Sequence, residues 1–211
     1  MLTVYTFGDS ILDCGHYNAH GVTPGGLLLR NDDRVFPEFH GQDLLSRGPA
    51  TLEHRARDGA TIHGLPAQVR GLQLTEPAEP SVALVTIGGN DLLTGLIADN
   101  GPGIEGFAAA LDDVLRRLLV RPVLLGNVYD PTFGDDARNF LGIDPRIARR
   151  NHHRMNAVLA EIASRYGALV DLHAHFLTGD SSWLTLTIEP SLRGASEVRR
   201  AFLPHVLGAI G

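Results

Sequence analysis

Thr3-Val4-Tyr5-Thr6-Phe7, followed directly by Gly8-Asp9-Ser10, is the stretch on which the reading of the chain turns. Five β-branched or aromatic residues run into a glycine, an acid and a serine, the composition of a strand that ends in a tight turn before a helix. The same rhythm recurs downstream. Further strands are expected over residues 52–56, 82–87, 123–128 and 168–173, and apolar residues at helical spacing cover 106–119, 146–166 and 194–210. Strands alternating with helices predict an α/β fold: one three-layer α/β/α domain over residues 1–211, with a parallel central sheet. Residues 75–81, with two prolines and two glutamates, read as a surface connection, and 21–48 as an irregular loop region.

With 44% apolar residues and a lone cysteine, Cys14, in 211 residues, the chain is neither disordered nor a disulfide scaffold. Its longest apolar runs are far too short to cross a membrane and no signal core opens it, so a cytoplasmic protein is expected, with no membrane partner. All 18 basic residues are arginine, which removes lysine-dependent chemistry: Schiff bases, pyridoxal phosphate and phosphate loops of the Gly-Lys type. Net charge is −6 and the arginines are dispersed, so nucleic acid is not an expected partner. Oligomeric state is left open.

In parallel sheets, ligands bind beyond the carboxyl ends of the strands. Here those ends carry Gly8-Asp9-Ser10, Asp58-Gly59-Ala60, Gly88-Gly89-Asn90-Asp91, and then His173 and His175. Ser10 is a nucleophile at a strand-to-helix turn, Gly59 a bare N–H and Asn90 an amide donor; the plain alternatives are a helix cap and two ordinary turns. Asp9 and Asp91 suit hydrogen bonds that hold the Ser10 and Asn90 loops. Cys14 reads as core on the helix after Ser10, and Glu197 with Arg199 and Arg200 as a solvated face of the last helix.

Taken together, these blocks resemble the GDSL or SGNH hydrolase family. Tyr5 to Leu12 is similar to its first block, Asp58-Gly59-Ala60 to its second, and Ile87-Gly88-Gly89-Asn90-Asp91-Leu92 to its third. The resemblance implies a flavodoxin-like three-layer fold, a serine nucleophile at Ser10, and an oxyanion hole from the Ser10 and Gly59 N–H groups and the Asn90 side chain. It implies small ester substrates and no cofactor.

The fourth block departs from the family's Asp-x-x-His-Pro. Leu186-Thr187-Ile188-Glu189-Pro190 puts glutamate in the histidine's place and leucine in the aspartate's. Two repairs are open. His175, or else His173, supplies the imidazole with Glu189 as its orienting carboxylate, giving Ser10, His175 and Glu189 as the expected triad; or Glu189 is itself the base, its pKa raised by burial. The first is preferred because imidazole needs little tuning. No metal is expected: Asp171, His173 and His175 have no further ligand at helical or loop spacing, and His152 and His153 are adjacent on a helix and point different ways. The competing reading is a small-ligand or carbohydrate-binding protein on the same fold, without turnover.

Overall fold

A computed structural model describes residues 1–72 and 79–210. Five parallel strands, β1 (Leu2–Gly8), β2 (Ala50–His54), β3 (Ser81–Thr86), β4 (Val123–Gly126) and β5 (Gly167–Val170), form one sheet in the order β2-β1-β3-β4-β5. The helices are α1 (Pro24–Leu29), α2 (Leu65–Gln68), α3 (Gly89–Leu93), α4 (Gly103–Arg117), α5 (Pro145–Tyr166), α6 (Leu172–Phe176) and α7 (Leu192–Ile210). A two-stranded hairpin, β6 (Leu184–Thr185) and β7 (Glu189–Pro190), precedes α7. Of the 75–81 connection, Thr75 to Ala78 lie outside the described residues.

The period of two along each strand explains the three layers. Phe7, Ala83, Val85, Val123 and Leu125 face the core beneath α4 and α5, whereas Val4, Val82, Leu84 and Leu124 face the one shared with α1, α6 and α7. Helices α4 and α5 pack on each other, as do α1 and α7.

Two local expectations need correction. No regular helix follows Ser10. Asp9 Oδ1 accepts the Ile11 N–H and the Asp9 carbonyl accepts those of Leu12 and Asp13, so the acid closes a turn on itself; Cys14 is buried in the segment beyond it. Nor is Arg199 solvated: it is 1% exposed, its guanidinium bonded to Asn31 Oδ1 (2.9 Å) and Ser196 Oγ (2.6 Å) and lying 3.3 Å over the Phe39 ring. Glu197 is buried beside it, although its i,i+3 bond to Arg200 is present at 3.0 Å. The loop region 21–48 closes over this end of α7 and carries α1, whose first turn is capped by Thr23.

Candidate active site

Gly8 ends β1 with φ +113°, and a Cβ there would lie 1.6 Å from the Thr86 carbonyl oxygen of the adjacent strand. Only glycine lets the two strands approach so closely where the chain turns. Gln68 of α2 clamps Gly8 through both of its backbone groups, accepting the Gly8 N–H at 2.6 Å and donating to the Gly8 carbonyl at 2.8 Å. The serine that follows is thereby fixed at the carboxyl edge of the sheet, 7% exposed, in the wall of an open cleft.

Glu189 reaches the same cleft from the opposite end of the sequence. The β6–β7 turn that delivers it holds Leu186 and Thr187 at φ +47° and +77°, a left-handed conformation costly for both and most so for a β-branched threonine. Tyr129 pins the turn: its hydroxyl donates to the Ile188 carbonyl at 2.5 Å while its ring stacks on Phe176. Burial raises the Glu189 pKa, offset in part by the Ser10 hydroxyl beside it, raised further by the charge of Asp58 and lowered by that of His16. Glu189 Oε2 is buried without a hydrogen-bond partner. Ser10 and a carboxylate of raised pKa thus share the lining of one cleft.

The expected triad is not assembled. Sequence alternation puts Asp171, His173 and His175 at the end of a strand, but β5 stops at Val170 and Asp171 caps α6, its Oδ1 accepting the Ala174 N–H at 3.0 Å. Two residues apart on a helix point to opposite sides. His173 consequently faces the cleft, and His175 turns away from it to bond Glu197 Oε2 at 3.0 Å, packed against Trp183. Burial of Glu197 is outweighed by this bond and by Arg200, which hold its carboxyl low. His175 belongs to the α6–α7 contact and is no neighbour of Ser10.

Asn90 lines the cleft, and its Nδ2 donates to the Ala60 carbonyl at 3.0 Å, tying it to the turn that holds Gly59 at φ +71°. Among the described residues neither the Ser10 nor the Gly59 amide donates a backbone hydrogen bond. Asp91 accepts the Ile62 N–H through both oxygens (3.1 and 3.2 Å), so it braces the segment after Gly59. Two side chains near Glu189 escape the sequence reading: His16 and Tyr17 both bond Asp58 Oδ2, at 3.1 and 2.7 Å, across about forty residues of chain that no local pattern links.

Burial pushes the Asp9 carboxyl up to about 7, against the hydrogen bonds it accepts from the Thr86 hydroxyl (2.8 Å) and the Ile11 amide. The folded chain then keeps this proton up to about pH 7 while the unfolded chain releases it near 3.8. Between those values the unfolded state binds fewer protons, so this group's contribution to stability falls as pH rises. Asp9→Asn is expected to gain on the wild type by roughly 1.4 kcal/mol per pH unit across that window and no further above it. Urea unfolding at pH 5 and pH 8 checks this; a constant difference between the two proteins would refute it.

Comparison with known proteins bears on the family and the fold. A family model described as GDSL-like Lipase/Acylhydrolase family matches residues 6–195. Among solved structures, the acetylxylan esterase Axe2 of Geobacillus stearothermophilus is similar, at 21% identity and TM-score 0.68 over 97% of this chain and 93% of that one. The α/β hydrolase LAE5 from the Lake Arreo metagenome gives 22% and 0.64 over 99% and 96%. The esterase EstA of Pseudoalteromonas sp. gives 15% and 0.64 over 99% and 98%. No curated protein sequence matches. Among the described residues no helix is long and apolar enough to cross a membrane.

Proposed function

Because the chain belongs to the GDSL-like lipase/acylhydrolase family, we propose that it hydrolyses carboxylic esters through Ser10, with Glu189 as the proton acceptor. The observation that carries this reading is the half-buried Glu189 carboxylate, its pKa raised, beside the serine hydroxyl in an open cleft. A solvated glutamate with a pKa of about 4.3 is a poor base, and burial moves it toward the working range.

In this mechanism Ser10 Oγ attacks the ester carbonyl carbon as its proton passes to Glu189, and the carbonyl oxygen takes the electron pair. The Ser10 and Gly59 N–H groups and the Asn90 amide are the donors for that oxyanion. Collapse breaks the bond to the alcohol, which leaves with the proton from Glu189. Water then attacks the acyl-serine, giving its proton to Glu189, and the acid departs as Ser10 is restored. Leu92, Leu93, Ile97, Phe140 and Ile188 give the cleft an apolar wall suited to the acyl or alcohol moiety.

A second reading, a ligand-binding protein without turnover, draws on the displacement of His175 from Ser10. A panel of p-nitrophenyl and sugar acetate esters, run on wild type and Ser10→Ala, separates the two. Hydrolysis that falls about 10³-fold or more in the variant is expected for the hydrolase. No hydrolysis, with carboxylate, sulfate or sugar affinity equal in both proteins, would establish the binding protein instead.

A further inference from the structure

His152 and His153 on α5 and His173 on α6 bring one ring nitrogen each to within 4.8 Å of one another, in the same wall of the cleft. Adjacency in sequence does not keep the first two apart. From the first turn of α6 the His173 ring sits 4.8 Å from that of His152 and 6.1 Å from that of His153, centroid to centroid. We propose that these three histidines form a site for a borderline transition-metal dication of the zinc type.

The protonation pattern supports this. His152 Nε2 lies 2.8 Å from the Val128 carbonyl, which can only accept, so that nitrogen carries the hydrogen and Nδ1 keeps its lone pair. An imidazole whose second nitrogen donates to a backbone carbonyl is a ligand already fixed in tautomer and orientation. Asn156 holds that carbonyl in place, donating to Val128 O and accepting from Val128 N, both at 2.9 Å. His173 Nδ1 is buried without any hydrogen-bond partner, a lone pair or N–H left unsatisfied in the apo fold.

Charge and reach are compatible with a dication. Asp130, fixed by Thr132 and Gly134, places a carboxylate in the lining of the same cleft. Arg149, the nearby cation, is paired with Asp136. Tetrahedral zinc holds its nitrogens roughly 3.4 Å apart, so the trio, spread over as much as 4.8 Å, must contract by up to about 1.4 Å. His153, the exposed member, has the freedom to supply that movement. Three imidazoles favour Zn²⁺, Co²⁺, Ni²⁺ or Cu²⁺ over Mg²⁺ or Ca²⁺, and leave a fourth position for water or a substrate oxygen.

The site stands independently of ester hydrolysis, so its test reads binding and not turnover. Tag-free protein is titrated with Co²⁺, followed by visible d–d absorption, and with Zn²⁺ in competition. Wild type is expected to bind one ion per chain with Kd below about 10 μM. His153→Ala, an exposed position that leaves the fold intact, and His173→Ala are each expected to weaken binding at least tenfold, while the remote His20→Ala binds as wild type does. No stoichiometric binding, or equal affinity in wild type and both site variants, would overturn the proposal.

Discussion

Glu189→Gln is expected to lower kcat/KM for an activated acetate ester by about 10²–10⁴-fold at pH 8, the usual worth of a positioned general base. Glutamine preserves shape and removes only the proton acceptor, so circular dichroism and thermal midpoint should change little. The pH profile adds a sign. A base must be deprotonated, and burial raises this carboxyl above its ordinary 4.5, so activity climbs with pH through a limb displaced upward from the normal glutamate range. That limb should vanish in Glu189→Gln and survive in Asp9→Asn, which separates the two neighbouring carboxyls. Glu189→His offers a converse: an imidazole at the family's usual position should exceed the glutamine variant at least tenfold near neutrality. Leu186→Asp combined with it should add to the gain. Position 186 is 71% exposed at φ +47°, where aspartate is more comfortable than leucine.

Gly8→Ala should be among the most destructive single substitutions in the chain. The new methyl would sit 1.6 Å from a backbone oxygen of β3, at a φ of +113° that alanine rarely adopts, and neither strand can yield without breaking the central pairing. A loss of about 4 kcal/mol or more is expected, at the exceptional end of single-site effects. For a domain of this size it lowers the thermal midpoint by roughly 10 °C or more and leaves little soluble protein. Gly59→Ala is the control. Its φ is also positive, at +71°, yet nothing lies within 4 Å of the added Cβ, so only about 1–2 kcal/mol of backbone strain is expected. Equal midpoints for Gly8→Ala and Gly59→Ala would contradict this use of the backbone contact.

The order and class of the elements were legible because period two and period 3.6 differ sharply in this chain. The expected helix at 146–166 is found as Pro145–Tyr166, and the expected strand at 82–87 as Ser81–Thr86. Ser10 and Asn90 were visible as strand-end residues, and Glu189 as the occupant of a motif position just before the last helix. What alternation hid was Asp171: an acid three residues before an amide it can cap ends β5 early and starts α6, sending His173 and His175 opposite ways. That cap was the available signal for choosing between the histidines. The His16–Asp58–Tyr17 group and the His152–His153–His173 trio carry no comparable local mark. Each depends on elements distant in sequence packing side by side, as does the burial of Arg199 against Phe39 and Asn31.

The most direct measurement of whether Ser10 is an activated nucleophile is covalent labelling with a small fluorophosphonate, read by intact mass and peptide mapping. One adduct per chain is expected, on the peptide bearing Ser10, absent in Ser10→Ala and formed at least a hundredfold more slowly in Glu189→Gln. A folded protein that stays unlabelled, or labels on another residue at an equal rate in all three forms, would contradict the proposed chemistry.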